Sequence, residues 1–347
     1  MGVFLCPMGN NDLSKTSPRG TGRTHASSVS RGRPARKSAS AQRGRQALTN
    51  QKPAPPSAHE RGTIVSIRII IDSSADFEPE IADELGITVI PMKTIFGEEE
   101  FAEGIDITRE QFYEKLVESD EFPRTSQVTP FEFARELDKL EDGDEALIIT
   151  LSGKLSGTAE SARTAASQSR VPAFVVDSES VTIGERILAE RAVEMRDAGA
   201  EAKTIAETLD REKADIKVIA TLDTLEYLKR GGRISAAAAL AGGLLSIKPV
   251  VGVVDGEVAV LGKARGSKQG NNLLVQKVRE SGGIDFSLPI LLGYTGLSDA
   301  LLQKYVSDSA ALWRDHCGSL EQTLLCSVIG THTGPGVVAV AFFKNGV

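Results

Sequence analysis

The stretch IRIIIDSSADFEPEIADELGITVI, residues 67–90, contains two strand patterns separated by a turn and a helix pattern. IRIII, residues 67–71, is a short apolar run typical of a buried strand. The segment PEIADELG, residues 79–86, has proline in its first turn and glycine just past its end, which predicts a helix. ITVIPM, residues 87–92, predicts the second strand. A strand, a helix and another strand in succession indicate a parallel sheet.

The same alternation continues as far as about residue 213. Thr129-Pro-Phe-Glu132 is a capping-box sequence with proline at the first helical position, and it leads into the helical FEFARELDKL. Further patterns predict strands at 146–150 and 173–177 and helices at 157–168 and roughly 181–198. We therefore predict a parallel, doubly wound α/β N-terminal domain over residues 66–213.

The pattern changes after residue 213. Two apolar segments flank Asp255-Gly256, a dipeptide that favours a tight hairpin. Three more strands are predicted at 288–294, 324–329 and 337–343, with a helical segment at 297–313. Hairpins combined with helices predict an α+β C-terminal domain, residues 214–347, with a mixed or antiparallel sheet. The fold class we expect is a two-domain α/β protein.

Residues 1–62 differ in composition from the rest of the chain. They are rich in Ser, Arg, Gly and Pro, which predicts a disordered basic tail. Three origins of this tail are open: an arm that binds RNA or an anionic surface, an organellar transit peptide, and an upstream extension from a misassigned start. The abrupt beginning of the folded pattern at Val65 favours the last.

Charge and composition exclude several classes of protein. Residues 1–60 hold ten Lys and Arg against two acidic residues, a charge of +8, so the net charge of −7 leaves −15 on the other 287 residues. An acidic body argues against nucleic acid as a specific partner. No segment has the roughly 18 uninterrupted apolar residues of a membrane span, and we expect a cytoplasmic protein.

The cysteine and histidine content predicts neither a metal site nor a disulfide framework. The three cysteines have no CxxC spacing, and His316 and His332 are the only histidines after residue 60. Cys326 lies in the apolar run TLLCSVI and is expected to be a buried small hydrophobic residue. We also expect no cofactor.

The loop LSGKLSGTAESA, residues 151–162, places four hydroxyls and two glycines after a strand. Ser156 or Thr158 is expected to cap the following helix, whose first free N–H groups suit an anion. The loop lacks GxSxG, S-x-x-K and the lysine of a phosphate-binding GxxxxGK[ST] loop. These hydroxyls are therefore predicted to hold a ligand rather than to attack one.

Four other segments are candidates for site residues. DSSAD, residues 72–76, follows the first strand at the sheet edge where α/β proteins bind ligands, and a turn or cap explains it equally well. Arg124-Thr-Ser-Gln127 precedes the capping box. Arg233 lies between a helix stop and Ser235, before the small-residue stretch AAAALAGGLL, residues 236–245. His332 is predicted in a glycine-proline loop between two strands, where it could donate to an anion as a cation or as a neutral ring.

Together these segments resemble the DegV family of bacterial fatty-acid-binding proteins. The resemblance covers about residues 67–345, and Ala159 and Ser246 depart from the family by replacing a common aromatic residue and a usual Asn. The matching segments, in order, are DSSAD (72–76), TSQVTP (125–130), KLSGTAESA (154–162), TLEYLKRGGRIS (224–235), LLSIKPVV (244–251), GKARGSK (262–268) and GTHTGPG (330–336).

The resemblance implies that a long-chain fatty acid is buried in an internal tunnel with its carboxylate near the surface. It places Thr125, Ser156, His332 and Arg233 at the carboxylate, and we assign supporting positions to Ser126, Gln127, Gly157, Thr158 and Thr331. It also implies a partner, a fatty acid kinase that converts the presented acid into an acyl phosphate for phospholipid synthesis. The protein itself would then be a lipid-binding carrier and not an enzyme.

Two other functions are considered from the residues. One is a hydrolase that uses Ser156 with His332, or a phosphotransferase, acting on a lipid; no acidic residue that would orient His332 can be named from the sequence. The other is an RNA-associated protein that uses the basic tail.

Overall fold

The computed structural model describes residues 66–235 and 247–346. The predicted tail, the stretch 236–245 and Ser246 lie outside the described residues. The strands are β1 (Ile67–Asp72), β2 (Ile87–Ile90), β3 (Lys93–Phe96), β4 (Glu99–Ala102), β5 (Arg124–Ser126), β6 (Glu145–Thr150), β7 (Ala173–Asp177), β8 (Ile216–Thr221), β9 (Ile247–Val254), β10 (Glu257–Arg265), β11 (Ile290–Tyr294), β12 (Glu321–Leu324) and β13 (Val338–Phe343).

The helices follow the same chain order. They are α1 (Pro79–Leu85), α2 (Arg109–Glu118), α3 (Pro130–Leu137), α4 (Thr158–Ser167), α5 (Ile183–Asp197), α6 (Ala202–Glu212), α7 (Glu226–Arg230), α8 (Gly266–Glu280), α9 (Ala300–Asp308), α10 (Ala310–Trp313) and α11 (Ser327–Thr333). Short 3-10 helices cover Ser73–Ala75 and Lys213–Asp215.

The first sheet is parallel throughout, as the strand and helix alternation predicted. Its strand order is β2-β1-β6-β7, so the central strands β1 and β6 are buried by neighbours on both sides. The predicted capping box at Thr129 is confirmed, because the Thr129 side chain accepts from the Glu132 N–H and the Glu132 side chain accepts in return from the N–H of Thr129. This arrangement fixes the first turn of α3 directly after the segment that carries Thr125.

The second sheet is mixed, with strand order β10-β9-β8-β13-β11-β12. Only β11 and β12 are parallel neighbours. The predicted hairpin is confirmed: Asp255 and Gly256, both with positive φ, join β9 to β10. The division into two domains at residue 213 stays a prediction; helix α5 contacts strands of both sheets, including β1 and β13.

A third, three-stranded antiparallel sheet, β4-β3-β5, was not predicted. Its strands are three or four residues long, and its β3 pairs Thr94 with Thr125 of β5. It packs with α2 around a small cluster that includes Phe96, Phe112 and Tyr113. The third sheet positions Thr125 beside α11, which contacts both β3 and β5.

The strand predicted at 324–329 and the loop predicted around His332 are wrong. Strand β12 ends at Leu324, and α11 begins at Ser327 and includes His332 in its last turn. The reason lies in distant contacts: Asp76 Oδ1 accepts the N–H of Cys326 (2.6 Å) and Glu103 Oε2 accepts the N–H of Ser327 (2.9 Å). Two buried carboxyl groups thus satisfy N–H groups at the start of the helix.

Candidate functional site

A cavity of about 420 Å³ lies against the six-stranded sheet; we call it the main cavity. Its volume is within the range of roughly 300–1,000 Å³ that small-molecule sites occupy. The loops that follow β6 and β7 form the wall opposite the sheet, with Leu151, Leu155 and Val181. The apolar side chains contributed by the second sheet and by α11 are Val218, Ala220, Leu222, Val251, Val253, Val258, Val328, Ile329 and Ala339.

One part of the main cavity is lined by polar residues. They come from four separate segments of the chain, which meet only in the folded protein: the end of β5 with the residue after it, the loop before α4, the segment after α7, and the last turn of α11. These residues are Thr125, Ser126, Gln127, Ser156, Arg233, His332 and Thr333. An apolar cavity with one polar end suits a ligand that has an apolar body and a polar head.

Thr125 and His332 form the central contact of this polar end. The hydroxyl of Thr125 lies 2.9 Å from Nε2 of His332. Burial of the imidazole, together with the positive charge of Arg233, lowers the pKa of His332 to about 4. Of the two forms considered from the sequence, this shift therefore favours the neutral ring at pH 7. Nδ1 of His332 is buried and has no hydrogen-bond partner among the described residues.

Ser156 sits where the loop after β6 turns into α4. Its Oγ lies 2.9 Å from Oγ1 of Thr158 and accepts the Thr158 N–H at 3.3 Å, so Ser156 satisfies one free N–H at the helix start. Thr158 Oγ1 in turn accepts the N–H of Val128. A methyl group on Gly157 would lie 2.1 Å from Oε1 of Gln127, which explains the glycine between the two hydroxyl residues.

Arg233 lies at the polar end, half-buried, and its guanidinium is held by main-chain oxygens. Nε donates to the carbonyl of Leu155 (3.1 Å) and an Nη donates to the carbonyl of Gly231 (2.6 Å). Both acceptors are neutral, so these two bonds leave the positive charge of Arg233 available to an anionic ligand. The Leu155 bond also ties Arg233 to the loop that presents Ser156.

The DSSAD segment does not line the main cavity; it contacts residues that do. Ser73 Oγ accepts the N–H of Met92 (2.9 Å), and Asp72 Oδ2 accepts the N–H of Leu151 (3.0 Å). Asp76 Oδ2 accepts the hydroxyl of Thr182. Met92, Leu151 and Thr182 all line the main cavity, so this segment anchors several of its walls.

The structure places most, but not all, of the predicted site residues at the cavity. Ser126, Gln127 and Gly157 line it beside the four head-group candidates, whereas Thr158 reaches it only through its contact with Ser156. Thr331 is buried away from the lining, and Thr333 lines the cavity instead. The helical conformation of the segment accounts for this, because residues two apart in a helix face different directions.

The described residues show no group of three or more His, Cys, Asp or Glu side chains arranged to hold a metal ion. Cys326 is buried, as predicted. Across 66–235 and 247–346, every helix is too short or too polar to cross a bilayer.

These features define a class: an α/β protein of several sheets with an apolar cavity that has one polar end. The chain belongs to the DegV family, since the model for uncharacterised proteins of that family matches residues 66–345. A DegV domain-containing protein of Deinococcus radiodurans is 35% identical over 283 residues, which cover 80% of this chain and 98% of the relative. A second relative, from Caldanaerobacter subterraneus, is 32% identical and covers the same shares.

Solved structures confirm the two-domain α/β fold class. A DegV family protein from Thermus thermophilus, described as binding fatty acid, has a TM-score of 0.73 at 30% identity and covers 81% of this chain and 100% of its own. A stearic acid-binding protein from Eubacterium ventriosum has a TM-score of 0.72 at 25% identity and covers 80% of this chain and 98% of its own. Both of these relatives are fatty acid-binding proteins.

Proposed function

We propose that this protein binds a long-chain fatty acid in the main cavity, with its carboxylate at the polar end. The observation that supports this most directly is the main cavity itself, in which Thr125, Ser156, His332 and Arg233 meet at one part of an otherwise apolar space. The fatty acids bound by the Thermus and Eubacterium relatives support the same ligand class.

The apolar walls supply most of the affinity in this proposal. Each methylene that leaves water contributes about 0.8 kcal/mol, so a chain of about 15 methylenes gains roughly 12 kcal/mol before the costs of ordering are subtracted. Hydrogen bonds to a charged group contribute about 1.5–3 kcal/mol each. The polar residues therefore set the position of the carboxylate more than they set the total affinity.

Each head-group residue has a distinct role in the proposal. Ser156 and Thr125 each donate a hydroxyl hydrogen bond to the carboxylate. Each can keep its present contact, with Thr158 and His332 respectively, by accepting a hydrogen bond there. Neutral His332 orients Thr125 and can donate through a ring N–H. Arg233 supplies the positive charge, while Ser126, Gln127 and Gly157 support the neighbouring turns.

We further propose that the bound carboxylate is presented to a separate fatty acid kinase in the cytoplasm, which forms an acyl phosphate for phospholipid synthesis. A role as carrier suits the contacts of Ser156, which bonds to Thr158 rather than to His332. A hydrolase would need His332 to activate the serine and an acid to orient the ring. Among the described residues, Nδ1 of His332 has no such partner.

The replacement Ser156→Ala tests the proposal. It removes one hydroxyl that holds the carboxylate, and we expect fatty-acid affinity to fall by about 1.5–3 kcal/mol, tenfold or more, with the fold intact. The affinity is measured by titration with a fluorescent fatty acid, and lipid retained during purification is identified by native mass spectrometry. Ser167→Ala, at the exposed end of the same helix, is the matched control.

A kinase assay tests the proposal that the bound carboxylate is presented to a fatty acid kinase. With a fatty acid kinase and ATP, the wild-type protein is expected to yield acyl phosphate and the Ser156→Ala protein to yield it more slowly. Equal lipid occupancy and equal turnover in wild type and Ser156→Ala would contradict the role given to Ser156. Ester hydrolysis by the purified wild-type protein alone would favour the hydrolase instead.

A further inference from the structure

A second cavity, of about 400 Å³, lies next to the main cavity. Its lining includes residues from β8, from the β9–β10 hairpin and from the end of α8. It is more polar than the main cavity, with Glu179, Lys213, Lys217, Lys277 and Glu280 among its lining residues. Three residues line both cavities: Val218, Gly252 and Val253. The two spaces therefore share part of their wall.

The shared residues lie where two neighbouring strands separate. Strands β8 and β9 pair through Ile219 with Gly252, Ala220 with Val251 and Thr221 with Val250, and their pairing stops there. Both strands continue beyond this point, β8 back to Ile216 and β9 on to Val254, but each is paired only with its other neighbour, β13 and β10 respectively. We call the stretch in which β8 and β9 do not pair with each other, residues 216–218 and 253–254, the seam.

The second cavity adjoins the main cavity at the seam. Side chains alternate between the two faces of a strand, so Val218 and Val253 face the main cavity with Ala220 and Val251. Helix α8 covers the opposite face of β8 and β9, and its Lys277 and Glu280 line the second cavity. Residues from both faces of the sheet thus line the second cavity next to the seam.

Gly252 allows Leu261 and the backbone of β8 to approach closely at the seam. A methyl group at this position would lie 2.7 Å from Leu261 Cδ1 and 3.1 Å from the carbonyl oxygen of Val218, so a side chain here would displace them. The seam also lies at the end of β8 away from the polar residues. Leu222, just after β8, precedes the segment that leads to Arg233. Val218 is four residues before Leu222, which places the two residues about 13 Å apart at roughly 3.3 Å per residue.

We propose that the seam and the second cavity form a subsite for the methyl end of long acyl chains, and so set the longest fatty acid that the protein accepts. This inference rests on the proposed function, since it assumes a carboxylate at Thr125 and Ser156. An acyl chain that runs along the apolar wall of β8 reaches Val218 and Val253 and enters the second cavity between them. The apolar lining of the second cavity includes Ile216, Ile219 and Leu261, and its lysines are Lys213, Lys217 and Lys277.

Two substitutions that fill the second cavity from different sides test the subsite. Val254→Phe acts from the β9 end, at a residue that is 45% exposed, and Ser281→Phe acts from the end of α8. Neither residue lines the main cavity. The control is Val117→Phe, at a valine on α2 that is 61% exposed and lines neither cavity. Each full-length protein is loaded from an equimolar mixture of saturated acids from dodecanoic to docosanoic acid, and the bound acids are quantified by native mass spectrometry.

The expected result is a shift toward shorter acids in both cavity variants and none in the control. Retention of the longest acids is expected to fall by about fourfold for each methylene that is excluded, whereas retention of the shortest acid stays as in wild type. An unchanged length distribution in both folded variants would overturn the subsite. A wild-type protein that binds no acid of any length would instead overturn the proposed function on which the subsite rests.

Discussion

His332 is held in a space that leaves almost no room for movement. Its Nε2 contacts the Thr125 hydroxyl, and its Nδ1 faces Gly231, where a methyl group would lie 2.2 Å away. Gly231 has a right-handed helical backbone, φ −69° and ψ −12°, so its lack of a side chain is required by the imidazole and not by the turn. The glycine that the sequence suggested as a helix stop therefore also determines the position of the ring.

Gly231→Ala is predicted to weaken fatty-acid binding by about tenfold to a hundredfold. The added methyl group forces the ring of His332 away from Gly231, and the Thr125 contact that orients the head group is lost or lengthened, at about 1.5–3 kcal/mol for a bond to a charged ligand. The change is measured as the dissociation constant of a fluorescent fatty acid and as the NMR shift of the His332 ring.

The control for this substitution is Gly318→Ala, because a methyl group there would meet nothing within 4 Å. We expect it to bind fatty acid as wild type does. Wild-type affinity in Gly231→Ala would show that His332 does not act on the ligand through this position.

The start of helix α11 depends on residues that are distant from it in the sequence. Asp76, with φ +60°, accepts the Cys326 N–H and the hydroxyl of Thr182, and Glu103 accepts the Ser327 N–H. The DSSAD segment thus has the capping function that the sequence offered as one alternative, but for a helix about 250 residues away. Because α11 carries His332, its anchoring at one end determines the site at the other.

Asp76→Ala is predicted to lower the free energy of unfolding by about 2–4 kcal/mol. The buried N–H of Cys326 loses its acceptor, and alanine at a positive φ adds about 1 kcal/mol of backbone strain. Urea unfolding measures the effect, and fatty-acid retention is expected to fall with it because α11 is displaced. Asp76→Asn keeps one acceptor and a residue that tolerates this backbone conformation. It is expected to be milder, and equal losses in the two variants would contradict an anchoring role for the acceptor oxygen.

These elements show which parts of the fold can be predicted from sequence. The Asp255-Gly256 hairpin and the Thr129 capping box are confirmed because each depends on residues within a few positions of one another. The first turn of α11 depends on acceptors 224 and 250 positions away, so its apolar residues resembled a strand.

The site, too, has features that local sequence patterns predict and features that depend on distant contacts. Sequence motifs predicted Thr125, Ser156, Arg233 and His332, and the structure brings all four around one cavity, although their roles stay predictions. The walls of the cavity and its position across β8 and β9 come from sheet pairing, which no local pattern records. Thr333 could have been found only by treating GTHTGPG as the end of a helix.

At the scale of the whole molecule, a buried ionic network links the two larger sheets. Arg186 of α5 has a side chain only 1% exposed and pairs with Glu78 (2.7 Å), Glu190 (2.9 Å) and Glu321 (2.5 Å). Glu78 follows the loop after β1, and Glu321 begins β12, so one guanidinium joins the parallel sheet, the central helix and the edge of the mixed sheet. The main cavity lies between these parts, and its shape depends on their being held together.

Arg186→Met is predicted to destabilise the protein by about 3–5 kcal/mol, because it leaves the buried carboxylate of Glu190 without its partner. Arg191→Met on the same helix is the control. Arg191 pairs with Glu194 and Glu212 but is 27% exposed, and such pairs contribute about 0–1 kcal/mol. Both effects are measured by urea unfolding at pH 7.

The loss in Arg186→Met is also expected to depend on pH, through Glu190. Burial raises the pKa of Glu190 from its ordinary value of 4.5 to about 7, even though Arg186 opposes the shift. The folded protein therefore binds more protons than the unfolded chain between these values, and this contribution to stability is lost as pH rises through about 7. Without Arg186 the pKa of Glu190 rises further, so the variant is expected to lose more stability at pH 8 than at pH 5. A difference between variant and wild type that stays constant over this range would show that Glu190 does not titrate in the network.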